Sequence, residues 1–328
     1  MEQSTCAEIH LDLTAVIVAV FEGSVNVMTV DGNQLPLGSF QPEKHRTLEL
    51  ALRSWVREQT GMELGYVEQL YTFGNRHRDP VFALGRNHQI TVGYLALVPN
   101  TVAVGVERAS WVPWYTFLPW EDHREGRPAV LDNYLLPQLY EWSNSAESEQ
   151  RRQARLERIV TAFGSERVSW DNERTIFRYE LLYEAGIVEE SIRDWWAYPP
   201  QERDQLPISR LNMPTHFTPI PELGKAMRQD HRRILASSIG RLRGKLKYRP
   251  VVFELLPESF TLLELQRVVE ALIGSKMHKQ NFRRWIQGTG LVEPLGSKIN
   301  KGTGRPAKVY RFRRSILAER PAPSKIET

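Results

Sequence analysis

The sequence predicts an α+β fold, in which a mixed-sheet α/β/α sandwich is followed by a helical insertion and a C-terminal winged helix-turn-helix. Three observations support this prediction. Strand-like segments near the N-terminus enclose an amphipathic helix, the middle of the chain has helical periodicity, and two helices and two short strands follow near the C-terminus. At 328 residues the chain is longer than one typical domain, so we expect two or three compact units.

We predict the following division of the chain. Residues 1–142 form the sandwich, and residues 143–221 form the helical insertion with a proline-rich linker. Residues 222–250 form a connecting helix, with the alternative that they complete the sandwich. The winged helix-turn-helix takes residues 251–316, and a disordered tail takes residues 317–328.

The first part of the chain alternates between strand and helix patterns. Residues 11–21 and 24–30 are rich in β-branched residues and are separated by a two-residue turn with glycine, so they predict a β-hairpin. Residues 48–60 have apolar side chains at helical spacing and are followed by a glycine that can end the helix. Residues 90–98 return to a strand pattern.

The middle of the chain is predicted to be irregular first and helical afterwards. Prolines and tryptophans after residue 112 indicate an irregular surface that leads into a short helix near residues 131–142. Residues 151–197 have apolar side chains at three- and four-residue steps, which predicts helix. We expect the proline-rich residues 198–221 to be extended without a core of their own, and residues 222–247 to form another helix.

The formal net charge of +4 conceals a strong asymmetry along the chain. From Lys225 to the C-terminus there are 23 Lys and Arg against 8 Asp and Glu, a net charge of +15. Residues 1–224 carry the remaining 20 against 31, a net charge of −11. An acidic N-terminal part joined to a basic C-terminal third indicates a polyanionic partner for that third. The alternative is that the basic residues merely solvate a helical surface.

Composition excludes several classes of protein. No apolar run approaches the roughly 18 residues that would cross a bilayer, and the N-terminus lacks the basic start and apolar stretch of a signal peptide. A single cysteine, Cys6, precludes an internal disulfide and suits a reducing compartment. We therefore expect a cytoplasmic protein without a membrane partner.

Residues 251–316 carry the clearest functional pattern. Thr261 followed by Glu264 fits a capping box at the start of a helix, and Gly274 is placed to end that helix. A second helix is predicted over residues 279–287, with Phe282, Trp285 and Ile286 on its core side. Short strands at residues 291–293 and 309–312 around a Gly- and Lys-rich loop then complete a winged helix-turn-helix. The first helix presents one apolar stripe, formed by Leu262, Leu265, Val268, Val269 and Leu272.

This arrangement predicts binding to double-stranded DNA. A helix fits the major groove and offers donors to base edges and phosphates, while a cationic loop can follow the backbone or enter a minor groove. A protein-binding winged helix with a solvated basic face is the alternative. The candidate DNA-binding residues are Lys279, Gln280, Asn281, Arg283 and Arg284 on the helix and Lys301, Arg305 and Lys308 on the wing.

The first amphipathic helix resembles the Nudix box, G-x5-E-x7-R-E-U-x-E-E-x-G-U, whose glutamates hold Mg²⁺ against a diphosphate. If Gly61 is aligned with the last glycine, Glu58 keeps the first position of the glutamate pair, but Gln59 replaces the second. Trp55 stands at the earlier glutamate position, and a basic residue stands at the one upstream. Gly38, the candidate first glycine, lies two residues further out than the pattern requires.

These departures predict that the helix is kept for its shape and pocket and not for metal chemistry. We therefore predict no catalytic residues and no metal ligands. An active Nudix hydrolase that uses Glu43, Glu49 and Glu58 instead is the alternative. The eight histidines have no metal-ligand spacing.

Together the two halves resemble the NrtR family, the Nudix-related transcriptional regulators of bacterial NAD metabolism. The resemblance rests on "EQLYTFGNRHRDP" and "ITVGYLALVP" in the first half, and on "NFRRWI", "LVEP" and "GRPAKVYRF" in the second. It implies a repressor of NAD biosynthesis or salvage genes that binds operator DNA as a homodimer. It also implies ADP-ribose or a related NAD metabolite as the effector, with no cofactor required. Residues 122–220 have no counterpart in the shorter members, so this chain is interpreted as a long form.

The segment "TFGNRHRDP" supplies most of the predicted effector-binding residues. Arg76 and Arg78 could clamp a diphosphate, and Phe73 could support an adenine ring or the edge of the sheet. Gly38 and Glu58 from the degenerate Nudix box complete the candidate effector site. The alternative is a turn with both arginines solvated. An RNA- or protein-binding adaptor remains a further alternative for the whole protein.

Overall fold

The computed structural model describes residues 9–75, 88–99, 105–209, 213, 220–247, 249–299 and 306–315. Its N-terminal strands are β1 (Ile9–Phe21), β2 (Ser24–Val30), β3 (Leu37–Ser39), β4 (Tyr66–Phe73), β5 (His88–Leu97) and β6 (Ala109–Pro113). They form a sheet with the order β4-β5-β1-β2-β6, and β3 also pairs with β1. β1 and β5 run parallel while the other pairs run antiparallel, so the sheet is mixed as predicted.

The hairpin of β1 and β2 lies at the centre of this sheet. Its turn residues, Glu22 and Gly23, both have positive φ (50° and 78°), as a type I′ turn requires, and this turn matches the twist of two paired strands. β1 is buried on both faces, with Ile17 against one layer and Val18 against the other. A strand that is covered on both faces needs a continuous apolar run, which residues 11–21 provide. The predicted hairpin is confirmed.

One face of the sheet is covered by α1 (Leu48–Thr60). The Thr47 hydroxyl accepts a hydrogen bond from the Leu50 N–H (3.2 Å) and caps the start of the helix. Gly61 ends it in the left-handed conformation, with φ of 71°. The predicted helix and its glycine stop are confirmed, and its buried side chains are Ala51, Leu52, Val56 and Thr60.

The opposite face carries the helices that follow in the chain, which share one hydrophobic core with it. A π-helical turn at Leu131–Leu135 leads into α2 (Leu136–Asn144), and α3 (Glu149–Phe163), α4 (Thr175–Glu184), α5 (Glu189–Ala197) and α6 (His231–Leu246) follow. The helix predicted near residues 131–142 is confirmed, and the helical region 151–197 divides into three helices. Among the described residues of the proline-rich segment, Tyr198, Leu206 and Ile208 are buried in the shared core.

The helix predicted over residues 222–247 is wrong at its start, because α6 begins at His231. Pro221–Leu223 form a 3₁₀ turn, and Gln229 has a φ of 49°, which a continuous α-helix cannot include. α6 packs against β1, β4 and α4. This packing favours the alternative that residues 222–250 complete the sandwich, while the four boundaries between the five predicted segments remain a prediction.

The C-terminal part has the elements of a winged helix. They are β7 (Phe260–Thr261), α7 (Leu262–Ile273), α8 (Lys279–Thr289), β8 (Val292–Ile299) and β9 (Ala307–Phe312). The three strands form a separate sheet with the order β7-β9-β8. β8 is longer than the strand predicted over residues 291–293. The predicted fold class, a sandwich followed by a helical insertion and a winged helix, is confirmed.

Two hydrophobic cores hold these layers together. One lies between α1 and its face of the sheet. The other begins on the opposite face and continues through the helical insertion into the winged helix. α7 also lies against β2. The winged helix is therefore packed directly on the rest of the protein. No helix in the described part of the chain is long and apolar enough to cross a membrane.

Candidate nucleic-acid interface and effector site

The helix-turn-helix of the C-terminal domain is built from local signals. Thr261 and Glu264 form the predicted capping box, in which the Thr261 hydroxyl accepts from the Glu264 N–H (3.2 Å) and the Glu264 carboxylate accepts from the Thr261 N–H (2.7 Å). Gly274 ends α7 with a φ of 72°, and Gly290 ends α8 with a φ of 65°. The whole predicted apolar stripe of α7 is buried.

The outer face of α8 is polar, cationic and exposed. Phe282 and Ile286 anchor the helix in the core. The prediction that Trp285 lies on the core side is wrong, since its side chain is 42% exposed. The centre of its ring lies 5.8 Å from that of Phe282. Within the described ranges, the exposed residues of α8 have no ion-pair or side-chain hydrogen-bond partner. They include all five predicted DNA-binding residues of the helix, Lys279, Gln280, Asn281, Arg283 and Arg284.

The wing adds two cations that face each other across a strand pair. Lys308 on β9, a predicted DNA-binding residue, lies directly opposite Lys298 on β8, and both are exposed. Like charges in opposite positions destabilise a strand pair, so this arrangement favours an anionic partner. Sequence reasoning missed Lys298 because it placed residue 298 in a loop. Lys301 and Arg305, also predicted, lie outside the described residues.

In the body, which is the part of the chain that precedes the winged helix (residues up to 250), the degenerate Nudix helix α1 binds neighbouring residues through its polar side chains. The Gln59 amide donates to the Leu37 carbonyl and accepts from the Leu37 N–H (3.1 Å), so both of its polar atoms bind β3. Trp55 donates through Nε1 to the Ser39 carbonyl oxygen (3.2 Å). A Cβ atom on Gly38 would lie 2.3 Å from the Trp55 ring, so only glycine fits beneath that side chain. The two former glutamate positions therefore fasten α1 to β3.

The residues present do not fit a magnesium site. Glu58 is exposed on α1, and Gln59 occupies the second position of the Nudix glutamate pair. In the part of the chain that the structure describes, no group of three or more His, Cys, Asp or Glu side chains is placed to hold a metal ion. A Mg²⁺ site in a Nudix protein needs several carboxylates one helical turn apart. This helix supplies only Glu58 at the glutamate positions of the box, and its other carboxylate, Glu49, is paired with Arg53 (2.7 Å).

The predicted effector residues are not brought together by the described structure. Gly38 and Glu58 belong to the layer that contains α1, while Phe73 is buried on the opposite face of the sheet, against α6. There the Arg233 guanidinium lies 5.3 Å from the centre of the Phe73 ring. Arg76 and Arg78 lie outside the described residues. The effector site therefore remains a prediction.

A small polar cavity beside Phe73 contains a histidine held in its neutral form. The cavity measures about 40 Å³, and Asn75, Gln89 and His231 are among its lining residues. His231 Nδ1 accepts a hydrogen bond from the Leu35 N–H (3.0 Å), which joins α6 to the chain between β2 and β3. Burial, with a smaller contribution from nearby Arg193, lowers the pKa of His231 to about 3.

A larger cleft lies between β4, α4 and α6 and was not expected from the sequence. Its volume is about 680 Å³. Tyr71 and Phe177 on its walls are 61% and 66% exposed, although both are aromatic. Arg174 and Arg241 also line the cleft. No local sequence pattern predicts this cleft, because Tyr71 on β4 and Phe177 on α4 lie 106 residues apart in the chain.

The C-terminal domain matches a known family of winged helix domains. The sequence model of the family described as "NrtR DNA-binding winged helix domain" matches residues 252–312. A curated relative, the "ADPR responsive transcriptional repressor NtrR" of Acinetobacter baylyi, is 37% identical over 83 residues. That match covers 25% of this chain and 33% of the relative, so it spans about a third of the relative's length.

Two solved structures resemble the chain over nearly its whole length. One is the Shewanella oneidensis NrtR in complex with a 27mer DNA, which is 20% identical with a TM-score of 0.51 and covers 94% of this chain and 95% of its own. The other is a MutT/nudix family protein from Enterococcus faecalis, which is 14% identical with a TM-score of 0.50 and covers 95% and 90%. At these identities the likeness concerns the fold.

The sandwich and the exposed basic helix define the class of protein, in which a Nudix-like domain is joined to a winged helix of the DNA-binding type. Within that class, residues 252–312 match the NrtR winged helix domain, and the chain is similar to NrtR proteins. The resemblance predicted from the sequence is confirmed.

Proposed function

We propose that this protein is a DNA-binding transcriptional regulator that represses genes of NAD biosynthesis or salvage. The observation that carries the proposal is the outer face of α8, where Arg283, Arg284 and their neighbours are exposed and unpaired among the described residues. A helix of this kind can place its side chains in the major groove, and the wing can reach the adjacent backbone. Lys298 and Lys308 support the same assignment.

The regulator acts on double-stranded operator DNA as a homodimer, so that two winged helices meet two half-sites. Its place of action is the cytoplasm, where a bacterial chromosome lies. The proposed contacts are those of α8, together with Lys298, Lys301, Arg305 and Lys308 on the wing.

ADP-ribose or a related NAD metabolite is the proposed effector. The family supports this choice, and the Acinetobacter baylyi relative is described as an ADPR-responsive repressor. Gly38, Glu58, Phe73, Arg76 and Arg78 are the proposed contacts. Because Gly38 and Glu58 lie on the α1 side of the sheet and Phe73 lies on the opposite side, the ligand would have to reach around the edge of the sheet.

The Nudix-like domain is proposed to bind its nucleotide without hydrolysing it. Gln59 and Trp55 occupy former glutamate positions and bind β3, which supports this view. Incubation with ADP-ribose and Mg²⁺ should give no product above the rate without protein. Turnover that disappears in Glu58→Gln would instead establish an active hydrolase.

The central experiment is recovery of genomic fragments by the full-length protein, with and without ADP-ribose. We expect fragments upstream of NAD-metabolism genes, and a change in their recovery when ADP-ribose is present. Arg283→Ala and Arg305→Ala should each weaken binding to a recovered fragment and lower its dependence on salt. Equal recovery of random DNA would contradict the proposal and favour an adaptor without sequence preference.

A further inference from the structure

The end of α7 is held by hydrogen bonds from the body. The Arg243 guanidinium on α6 donates through Nε to the Leu272 carbonyl oxygen (2.9 Å), and the Tyr115 hydroxyl donates to the Ala271 carbonyl oxygen (2.7 Å). The His123 N–H donates to the Gly274 carbonyl oxygen (2.7 Å). The last carbonyls of a helix have no partner within the helix, so here the body supplies the partners and a positive charge complements the helix dipole.

Two of these donors, Arg243 and Tyr115, belong to a buried cluster around Glu121. Glu121 accepts from Arg178 Nε (2.6 Å) and Nη2 (2.8 Å) and from Arg243 Nη1 (2.6 Å), and all three side chains are fully buried. Burial by itself opposes ionisation, but the two guanidiniums outweigh it and hold the pKa of Glu121 below its ordinary value. Arg243 also donates to the Tyr115 hydroxyl oxygen (3.2 Å).

The helical insertion supplies the third side of this cluster. Arg178 belongs to α4 and donates through Nη1 to the Asp171 carbonyl oxygen (2.8 Å). Asn172, in the segment between α3 and α4, accepts from Arg243 Nη1 through its carbonyl oxygen (2.9 Å). Three parts of the chain, represented by Glu121, Arg178 and Arg243, therefore converge on the end of α7.

Gly274 shows how closely the parts approach. A Cβ atom at this position would lie 2.4 Å from the Glu121 carbonyl oxygen and 2.8 Å from Arg243 Nη2. No side chain fits between α7 and the cluster. The contact is thus a close, directional one made by groups with fixed geometry, because a guanidinium presents its donors in a rigid fork.

We propose that Glu121, Arg178, Arg243 and Tyr115 form a joint that fixes the orientation of the winged helix on the body, and that the insertion is retained to build it. A change in the body is then transmitted to α8 as a rotation of the whole winged helix, because α7 cannot turn without breaking this joint. The transmission of an effector signal rests on the proposed function. The proposal that the joint fixes the orientation of the winged helix does not rest on the proposed function.

The first test measures orientation without any ligand. Spin labels at Ser54→Cys on α1 and Gln287→Cys on α8, both exposed positions, are introduced into full-length protein with Cys6→Ser. Pulsed dipolar spectroscopy should give one narrow distance distribution for this background. Tyr115→Phe, which retains the buried ring and loses the hydroxyl, and Arg243→Lys should both broaden it.

Two matched controls separate orientation from general loss of stability. Tyr183→Phe removes another buried hydroxyl, which donates to Asp194 within the insertion (2.8 Å). Arg232→Lys alters an equally buried arginine of α6 that pairs with Glu190 (3.1 Å) and with carbonyls of Phe117 and Leu223. Both controls should keep the narrow distribution. Distance distributions of equal width in all variants would overturn the proposal. If Arg243→Lys does not fold, the comparison of Tyr115→Phe with Tyr183→Phe is sufficient for the test.

The second test measures transmission. Duplex affinity is measured with and without ADP-ribose, and the ratio of the two affinities is the allosteric factor. Such factors are typically about 5–150-fold. Tyr115→Phe should reduce this ratio towards one while leaving the affinity of the DNA-free protein for ADP-ribose unchanged. Tyr183→Phe should retain the ratio. A factor retained in Tyr115→Phe would overturn transmission through the joint. A native protein that binds no duplex would count against the proposed function, and the distance measurement would still decide on the joint.

Discussion

The body and the winged helix treat their charged side chains in opposite ways. In the body, charged groups are taken into the interior and paired there, as Glu121 is with Arg178 and Arg243, and Glu190 is with Arg232. In the described residues of the winged helix, the buried polar side chains are the uncharged Thr261 and Gln266. Its described cations are exposed, except for Arg313, which is half-buried.

The same contrast separates the two amphipathic helices, α1 and α8. Both bury an apolar stripe and end at a left-handed glycine. On α1, Gln59 and Trp55 bind the neighbouring strand, whereas the cations of α8, such as Arg283, have no partner among the described residues. A helix whose polar groups are already satisfied adds rigidity, and one whose groups are free can bind a partner.

The largest expected effect removes the free charges of α8. Arg283→Ala combined with Arg284→Ala should lower affinity for the operator duplex by about 100-fold and lower the slope of log affinity against log salt by about two. Fluorescence anisotropy over a range of salt concentrations measures both. Arg57→Ala on α1, an exposed arginine already paired with Glu63 (2.7 Å), is the matched control and should change neither.

Acid should destabilise the body through His231. Its pKa is about 3 in the folded protein against 6.5 as the ordinary value, so unfolding takes up a proton once the pH falls below about 6.5. Stability is therefore lost progressively from pH 6.5 towards pH 3, and by pH 5 the loss is about 2 kcal/mol. Denaturant unfolding at pH 7 and pH 5 measures it. His231→Asn places an amide oxygen at the position of Nδ1, so it can still accept from the Leu35 N–H and does not titrate. An undiminished pH dependence in that variant would exclude His231 as the source.

Restoring one Nudix carboxylate should weaken the body rather than create an enzyme. Gln59→Glu keeps the acceptor for the Leu37 N–H but loses the donor to the Leu37 carbonyl, which should cost about 1–2 kcal/mol of unfolding free energy. Thermal unfolding and an ADP-ribose hydrolysis assay with Mg²⁺ measure the two consequences. Glu58→Gln, at the adjacent exposed position, should leave stability unchanged. Hydrolysis by the Gln59→Glu variant would show that α1 retains more of the catalytic site than we infer.

The smallest expected effect concerns the paired lysines of the wing. Lys298→Ala removes a like charge opposite Lys308, so the melting temperature should stay the same or rise slightly while duplex binding weakens severalfold. The salt slope should fall by about one. Arg311→Ala, whose side chain is already paired with Glu293 (2.5 Å), is the control on the neighbouring strand. If both variants bind DNA as tightly as the native chain, the wing does not contact the duplex.

Much of the fold was predictable because its signals are local. The turn at Glu22 and Gly23, the Gly61 stop and the Thr261 capping box each lie within a few residues of the element they define. The start of α6 was mispredicted because its apolar periodicity continues upstream of the backbone break at Gln229. The exposed cations of α8 were predicted from the same periodicity that identified its buried side.

The sequence by itself determined the central hairpin, the helices α1, α7 and α8 with the glycines that end them, and the surplus of positive charge in the last third of the chain. Only the tertiary structure decided which of those charges are available to a partner. Arg243 and Arg283 belong to the same basic region, yet one is fully buried and the other exposed. The reason is that a buried charge needs a partner at hydrogen-bonding distance. For Arg243 that partner, Glu121, lies 122 residues earlier in the chain, where no local pattern connects the two.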